Sequence, residues 1–570
     1  MPSVLAAHKW WEAAIIYQVY PRSFQDSNGD GIGDLPGILS RLDYIVSLGV
    51  DTLWINPVYR SPEHDNGYDI SDFQAIQPEY GTMAGLDALI AACHQRKMRV
   101  IMDMVVNHTS DEHEWFRQAR SSRDNPYYPF YIWWPAEKGR PPYRRGFFDP
   151  AGEAWEYNAA TNSWYLHYFS KHQPDLNWDH AETRREIYKM LRFWLDKGVD
   201  GLRFDALTFI SKDPAFPEIS AELLKRNFRN DWGYYYASGP RLHDYIREMH
   251  REVLANYDVV SIAEASGVSS TQVLDFVAED RQELDLLCHF EGMMIGQIPG
   301  QFKKIDPAGY SRREWKEVYT RWSQVFATKG WGTIYLGNHD QPRMVSRWGE
   351  DSPAFRTHSS KLLFTFLLTM RGTPLLYNGD ELGMTNIRFN TIDEYQDIET
   401  RQMYEQLKAA NGDTRGFLRD QQLTGRDNGR TPFQWTAGLN AGFTTGKPWL
   451  KINPNYIDTN REAQEQDPDS ILHFVRRLIH LRKQYPALVY GDFNLLSHDE
   501  SPVYAYTRHK DNATFAVLLN LSSQEQPFDG LFSPPSNHDI IINNYPVVHW
   551  TRKGLQLAPW QAFVFACGPR

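Results

Sequence analysis

Asp205, Glu264 and Asp340 each stand at the end of a short apolar run, in the segments GLRFDAL, SIAEAS and LGNHD. The carboxyl ends of successive parallel strands converge on one rim of a (β/α)8 barrel, so acids this far apart in sequence can meet there. Three converging carboxylates point to acid/base chemistry on an uncharged substrate. Asp103 and His108 close another such run, Arg203 precedes Asp205, and His339 precedes Asp340. A lone acid at a strand end is ordinarily a helix cap or an ion-pair partner, but polar residues placed alike on several strands exceed what capping explains. Arg203 lies two residues before Asp205, on the same side of its strand. There its fixed positive charge is expected to keep that carboxylate ionised.

Such a rim needs eight strands alternating with helices. Apolar runs at 14–21, 52–59 and 100–106 alternate with helical patterns near 36–48 and 83–97. After His108 the alternation stops, and residues 109–178 are aromatic and Pro-rich (YYPFYIWWP, QPDLNW), which reads as an insertion. It resumes with a helix over 182–197, where Ile187, Met190, Leu191, Trp194 and Leu195 form one apolar face and Gly198 supplies the stop. GLRFDAL, SIAEAS, LDLLCHF, GTIYLGNHD and TPLLYNGDELG complete the strands, with helices at 240–256 and around KLLFTFLLTM between them. Their nearly continuous apolar character is that of parallel strands covered on both faces. From about 491 the runs PVYAYTRH, ATFAVLLNLS, HDIIINNY and WQAFVFAC succeed one another without helices. The expected organisation is an α/β (β/α)8 TIM barrel over 1–108 and 179–490, with an inserted domain over 109–178 after strand three. A C-terminal antiparallel β-sandwich domain over 491–570 follows.

A chain of 570 residues is long enough for two or three domains. Its hydrophobic share of 42% is ordinary, but the aromatic share of 14%, with 19 Trp and 31 Tyr, is high. Most of these rings are expected in the core and the rest as flat platforms under sugar rings. A net charge of −11 without any basic cluster argues against nucleic acid as a partner. Cys93, Cys288 and Cys567, without CxxC spacing, indicate neither a disulfide framework nor a thiolate zinc site. The opening MPSVLAAHKWWEAAIIYQVY lacks a secretory pattern, and no run reaches the roughly 18 apolar residues of a membrane span. The expectation is a cytoplasmic enzyme, a monomer or weak homodimer, without a membrane partner.

The segments DMVVNH, GLRFDAL, SIAEAS and LGNHD resemble, in order and spacing, four motifs of the α-amylase superfamily, also called glycoside hydrolase family 13. QPDLNW, NGYDI, NHDQPRMVSRWG, GMTNIRF, GRDNGRTPFQW and AGFTTGKPW are similar to its oligo-1,6-glucosidase and α-glucosidase group, so the resemblance runs almost end to end. It implies a retaining exo-acting α-glucosidase that takes a disaccharide or small oligosaccharide and needs no organic cofactor. Asp205 would be the nucleophile, Glu264 the acid/base and Asp340 the carboxylate that steadies the distorted sugar. Ala263, Ala265 and the charge of Asp205 are suited to raising the Glu264 pKa. His108 and His339 match sugar-binding histidines. Asp65, Tyr68 and Arg426 match residues closing the pocket around a terminal glucose, which implies exo action. Between Arg426 and Arg430 the sequence leaves the contact open, with Arg426 favoured; Phe169 and Gln173 are further binding candidates.

DSNGDGIGD sets oxygen donors at Asp26, Asn28, Asp30, Ile32 and Asp34 in the alternation of an EF-hand loop, but Gly37 stands where the required Glu would be. It resembles instead the family's structural Ca2+ loop. GFTTGKPW is not a phosphate loop, because its glycines are one residue too close and Pro448 replaces Ser or Thr. Linkage preference in this group tracks the residue after the nucleophile. Here it is Ala206, where 1,6-specific relatives tend to have Val, which favours α-1,4 linkages by leaving room beside the leaving group. Ala265 and Ser266 depart from the usual Met and Pro, and Gly337 from a common Asn, also beside the leaving sugar. FKKIDPAGYSRREW departs from the Arg-rich loop of sucrose isomerases and favours hydrolysis. The alternatives are an oligo-1,6-glucosidase, a sucrose isomerase or transglucosylase, and last a non-catalytic sugar-binding relative, disfavoured because the triad is intact.

Overall fold

The computed structural model describes residues 8–148, 152–217, 236–298, 303–306, 308–497, 501–529, 539–551 and 554–567. The first seven residues of the opening segment, and Phe302 and Pro307 of FKKIDPAGYSRREW, lie outside the described residues. Eight strands form one parallel sheet: β1 (Ile16–Val19), β2 (Thr52–Ile55), β3 (Arg99–Val105), β4 (Gly201–Asp205), β5 (Val260–Ala265), β6 (Leu286–His289), β7 (Thr333–Ile334) and β8 (Thr373–Tyr377). Their order is β6-β5-β4-β3-β2-β1-β8-β7, the sequence of a barrel opened between β6 and β7. Side chains bridge that seam: Thr333 Oγ1 donates to Leu287 O at 3.1 Å and Tyr335 OH to His289 O at 2.7 Å. The (β/α)8 barrel is therefore nearly closed, as the sequence led us to expect.

These segments become barrel strands because each is buried along almost its whole length, which only apolar residues tolerate without a hydrogen-bond partner for every side chain. The helix Ala181–Asp196 shows how the outer ring holds on. Ile187, Tyr188, Met190, Leu191, Trp194 and Leu195 are buried on one face, each worth about 1.5–3 kcal/mol for a full aliphatic or aromatic side chain. Gly198, at φ +93°, turns the chain out of the helix. Where the periodicity predicted a single helix near 36–48, two form instead, Leu35–Ser40 and Leu42–Leu48, broken at Arg41.

Between β3 and the helix Ala181–Asp196 the chain builds its own sheet, with strand Ser163–Leu166 between Trp133–Pro135 and Trp155–Asn158. Its return passes beside the barrel rim, where Asp175 pairs with His108 across a single antiparallel bridge. This fixes the aromatic segment over the site. After the last helix, Pro486–Tyr490, a five-stranded and a three-stranded antiparallel sheet share a core of Val503, Ala505, Leu518, Leu555, Leu557 and Phe563. Arg508, fully buried in these sheets, joins them to the preceding part by donating to the carbonyls of Thr369, Val489 and Gly491, and the equally buried Arg482 donates to those of Leu368, Met370, Gly372 and Leu488 on the barrel side. Among the described residues no helix is long and apolar enough to cross a membrane.

Candidate active site

The strand register sets the catalytic geometry before any side chain is considered. Asp205 ends β4 and pairs with Val105, and Phe204 pairs with Ala263, which places Glu264 beside Asp205 at the same level of the barrel. Arg203, two residues earlier, rises on the same side, and its guanidinium becomes the hub of the rim. Nη1 donates to Asp103 at 2.6 Å and to Asp205 at 3.0 Å, while Nη2 is in close contact with Glu264. The sequence had Arg203 serve Asp205; the structure makes it shared among three carboxylates. Asp103 is locked from its other side by Trp54 Nε1 at 3.1 Å, Asn56 Nδ2 at 3.0 Å and the Tyr68 hydroxyl at 3.2 Å.

Burial and the nearby charge of Glu264 push Asp205 well above the usual carboxylate range, against the pull of Arg203. Glu264 is also raised by burial, opposed first by Arg203. Burial is the leading cause for both, because a low-dielectric site disfavours the charged form of each carboxyl. Asp340 behaves oppositely. Burial would raise it, but His339, Arg426 and Arg430 hold it well below the ordinary range, with Arg426 Nη1 at 3.1 Å and Arg430 Nη2 at 2.8 Å from the same oxygen. The three acids thus split into two raised by burial and one held as an anion by the cations beside it.

A cavity of about 250 Å³ opens over them. Asp205, Glu264 and Asp340 line it together with Asp65, Tyr68, His108, Phe169, Ser266 and Arg426. Its inner end is closed by a network rather than open to solvent. Arg426 Nη2 donates to Asp65 at 3.2 Å and Gln173 Nε2 donates to the other Asp65 oxygen at 3.1 Å. Gln173 also stands 3.2 Å from His108 Nε2. The Tyr68 ring stacks on His339 with centroids 5.3 Å apart, and its hydroxyl is 2.6 Å from His339 Nε2. Burial brings His108 and His339 down to about 3, so both are neutral imidazoles in the working range. Burial lifts Asp65 to about 7 even with Arg426 beside it.

Arg426 faces the cavity, whereas Arg430 lies behind it, 1% exposed, donating to His339 O and Asp340. Phe169 forms one wall, stacked on Phe147 with centroids 5.0 Å apart. Three of the residues singled out for specificity are placed differently from the sequence reading. Ala206, expected beside the leaving group, is buried at the edge of an apolar cluster that also holds Phe209, one of the residues lining the cavity. It adopts φ +48°, so that its backbone N–H turns to donate to Glu264 Oε2 at 3.1 Å. Ala265 is buried in β5, 1% exposed. Gly337 lies beneath the acids in a small void shared with Arg203 and Glu264, and a Cβ there would meet Asp380 Oδ2 at 3.2 Å. Ser266 alone of the four lines the cavity.

The loop Asp26–Asp34 lies apart from these acids. Asp26, Asn28 and Asp30 each accept the backbone N–H two residues on, at 2.9, 2.8 and 2.8 Å, and Asp34 caps the helix Leu35–Ser40 through Gly37 N. Sequence reasoning missed Asp397, whose carboxylate takes both Arg426 Nε at 2.9 Å and Nη2 at 2.6 Å. Its only sequence signal is that of a helix cap, a role it also fills toward Thr400 N at 3.1 Å. Phe147, Phe148, Phe209, Phe290, Lys303 and Glu399 also line the cavity without any sequence pattern that distinguishes them from packing residues. Two larger hollows exist; the one lined by Lys9, Asp285 and Trp331 lies where the chain enters β1, β6 and β7, the barrel face that carries stability rather than chemistry.

The α-amylase catalytic-domain profile matches residues 18–491. The chain is 45% identical to an oligo-1,6-glucosidase of Parageobacillus thermoglucosidasius, covering 98% of both chains. It is 40% identical to an α-glucosidase of Pediococcus pentosaceus, covering 98% of this chain and 99% of that one. A mutant isomaltulose synthase of Erwinia rhapontici, solved with sucrose, superposes with a TM-score of 0.93 at 42% identity, covering 99% of this chain and all of that one. With its rim of acids at the carboxyl ends of β4, β5 and the segment after β7, the chain belongs to the α-amylase family of glycoside hydrolases.

Proposed function

We propose that this enzyme is a retaining, exo-acting α-glucosidase that releases glucose from the non-reducing end of short α-glucosides. The observation that carries it is one buried guanidinium, Arg203, joining Asp205 and Glu264 beneath a cavity whose far end is closed by Asp65, Arg426 and Gln173. A retaining mechanism needs two carboxyl groups about 5–5.5 Å apart, one to attack and one to protonate. Asp205 attacks the anomeric carbon and forms the glucosyl-enzyme. Glu264, whose carboxyl burial favours in the protonated form, gives its proton to the leaving oxygen and then takes one back from the incoming water. As the sugar distorts and its ring gains positive charge, the permanently ionised Asp340 lies beside it, and the neutral His108 and His339 offer hydrogen bonds without repelling that charge. The closed end supports exo action, because a chain cannot thread past Asp65 and Arg426.

The α-1,4 preference rests on Ala206. Its influence on linkage is supported by the amide it holds on Glu264 and by the cluster it shares with the cavity-lining Phe209. The second reading, an oligo-1,6-glucosidase, is supported by the name of the Parageobacillus thermoglucosidasius relative; a sucrose isomerase is supported by the Erwinia rhapontici structure. Initial rates on maltose, isomaltose and sucrose, with product analysis, separate the three. A higher kcat/KM on isomaltose than on maltose overturns the α-1,4 reading, and isomaltulose or trehalulose from sucrose overturns hydrolysis.

We infer further that Asp26, Asn28, Asp30, Ile32 and Asp34 hold a structural Ca2+. Alternate side-chain oxygens turned into one loop, with no nitrogen donor, suit this hard cation. Loss of thermal stability on chelation, absent in Asp30→Ala, tests it. The reading of a reducing, cytoplasmic compartment is supported by Cys93 and Cys288, both buried as thiols and raised by burial to about 12 and about 11.

A further inference from the structure

Behind the closed end of the cavity three chain segments meet: the loop after β2 with His64, the segment after β3 with Asp111, and the insertion with His172. One ligand atom from each lies within 4.8 Å of the other two. His172 Nδ1 is 3.1 Å from Asp111 Oδ2, close to the roughly 3.3 Å between two ligands on a tetrahedral ion with bonds of about 2.0–2.1 Å. The His64 and His172 rings stack with centroids 4.0 Å apart and planes 13° from parallel. The other oxygen of Asp111, Oδ1, is buried and has no hydrogen-bond partner. A buried carboxylate oxygen without a donor is costly, and a cation is the partner its charge calls for. The frame is already rigid: Asp111 N donates to His172 O at 2.9 Å, and His64 N to Asp69 Oδ2 at 2.9 Å.

We propose that His64, Asp111 and His172 form a binding site for a divalent transition-metal ion of the zinc class. Two imidazoles and one carboxylate are a borderline-soft donor set that suits zinc, cobalt or nickel and not calcium, which takes oxygen ligands. Three protein ligands leave a coordination position for water. His64 and His172 immediately precede Asp65 and Gln173, which hydrogen-bond each other across the end of the cavity at 3.1 Å. A bound ion therefore clamps the β2 loop onto the insertion directly behind the sugar end of the pocket. The metal site itself does not depend on the glycosidase reading.

The test is calorimetric titration of chelator-stripped, full-length enzyme with zinc in excess Ca2+, so that oxygen-donor sites are already filled, with visible absorption of the cobalt form as a second readout. One site per chain is expected. Affinity should fall at least about tenfold in both His64→Ala and His172→Ala, as loss of a ligand requires, and stay unchanged in Asp205→Asn, which reports on the catalytic carboxylates. His64 is exposed, so its variant keeps the test valid if His172→Ala folds poorly. Equal zinc affinity in His64→Ala and the parent, or no saturable binding below about 1 mM, overturns the proposal. So does loss of the site in Asp205→Asn.

Discussion

Asp205→Asn separates the chemistry from the cost of holding it. Asp103, Asp205 and Glu264 crowd around Arg203, with Asp340 a further source of charge, and burial with the charge of Glu264 lifts Asp205 well above the carboxylate range. The folded state therefore keeps this proton at pH values where the unfolded chain, titrating near about 3.9, has released it. Stability falls as pH rises from about 3.9 to the raised folded value, then levels. Asparagine has the same shape and cannot ionise, so the variant escapes that loss. It forfeits the 3.0 Å pair with Arg203, but Arg203 keeps Asp103 at 2.6 Å and Glu264, so the guanidinium stays compensated and relief of repulsion outweighs the lost pair. The expected gain near neutral pH is about 0.5–2 kcal/mol, the range typical of one relieved conflict, or roughly 1–3 °C in a chain of this length. Turnover should fall by at least about 10⁴, equivalent to about 5.5 kcal/mol of barrier. Thermal unfolding at one scan rate, at about pH 5 and about pH 7.5, and rates on p-nitrophenyl α-glucoside measure both. A variant less stable than its parent at both pH values, or a gain that shrinks with rising pH, refutes the electrostatic reasoning; retained turnover refutes the role of Asp205.

Glu264→Gln should slow maltose hydrolysis by about 10²–10⁴, yet affect the first step on p-nitrophenyl α-glucoside much less, because that leaving group departs without a proton; equal losses on both would contradict the acid role. Arg426→Lys, which cannot span Asp65, Asp340 and Asp397 as the guanidinium does, is expected to cost about 2–5 kcal/mol in kcat/KM, with thermal unfolding as the check that the protein still folds. Ala206→Val places a β-branched residue at φ +48°, so a loss of about 1–3 kcal/mol in stability is expected. Through the amide on Glu264 it should also move the isomaltose-to-maltose ratio of kcat/KM upward by at most about 1–3 kcal/mol; an unchanged ratio would detach Ala206 from linkage choice. Arg508→Leu leaves the carbonyls of Thr369, Val489 and Gly491 without their donor, which at about 1–3 kcal/mol for a group left unsatisfied should lower Tm while leaving KM unchanged.

Some of this was legible before any coordinates. Asp205 ends β4 and Glu264 lies one residue before the end of β5, and burial along parallel strands leaves a clear mark on composition, whereas Asp340 lies six residues past the end of β7. The same holds for the helix Ala181–Asp196, whose apolar face and Gly198 stop follow from local periodicity. The helix near 36–48 was misjudged as continuous, because Arg41 interrupts it without any residue that commonly breaks helices.

What the chain of residues determines by itself is therefore local: which segments are strands, which face of a helix is buried, and which acids stand at strand ends. Tertiary structure alone decides where charges meet. Arg203 is shared by three carboxylates, Asp397 secures Arg426 from nearly 30 positions away in sequence, and burial lifts both Asp205 and Glu264. Ala206 is the sharpest case. Its identity suggested only space beside the leaving group, but one left-handed residue turns its amide onto Glu264. Electrostatic energy and packing depend on distances between residues remote in sequence, and those distances exist only once the barrel has closed.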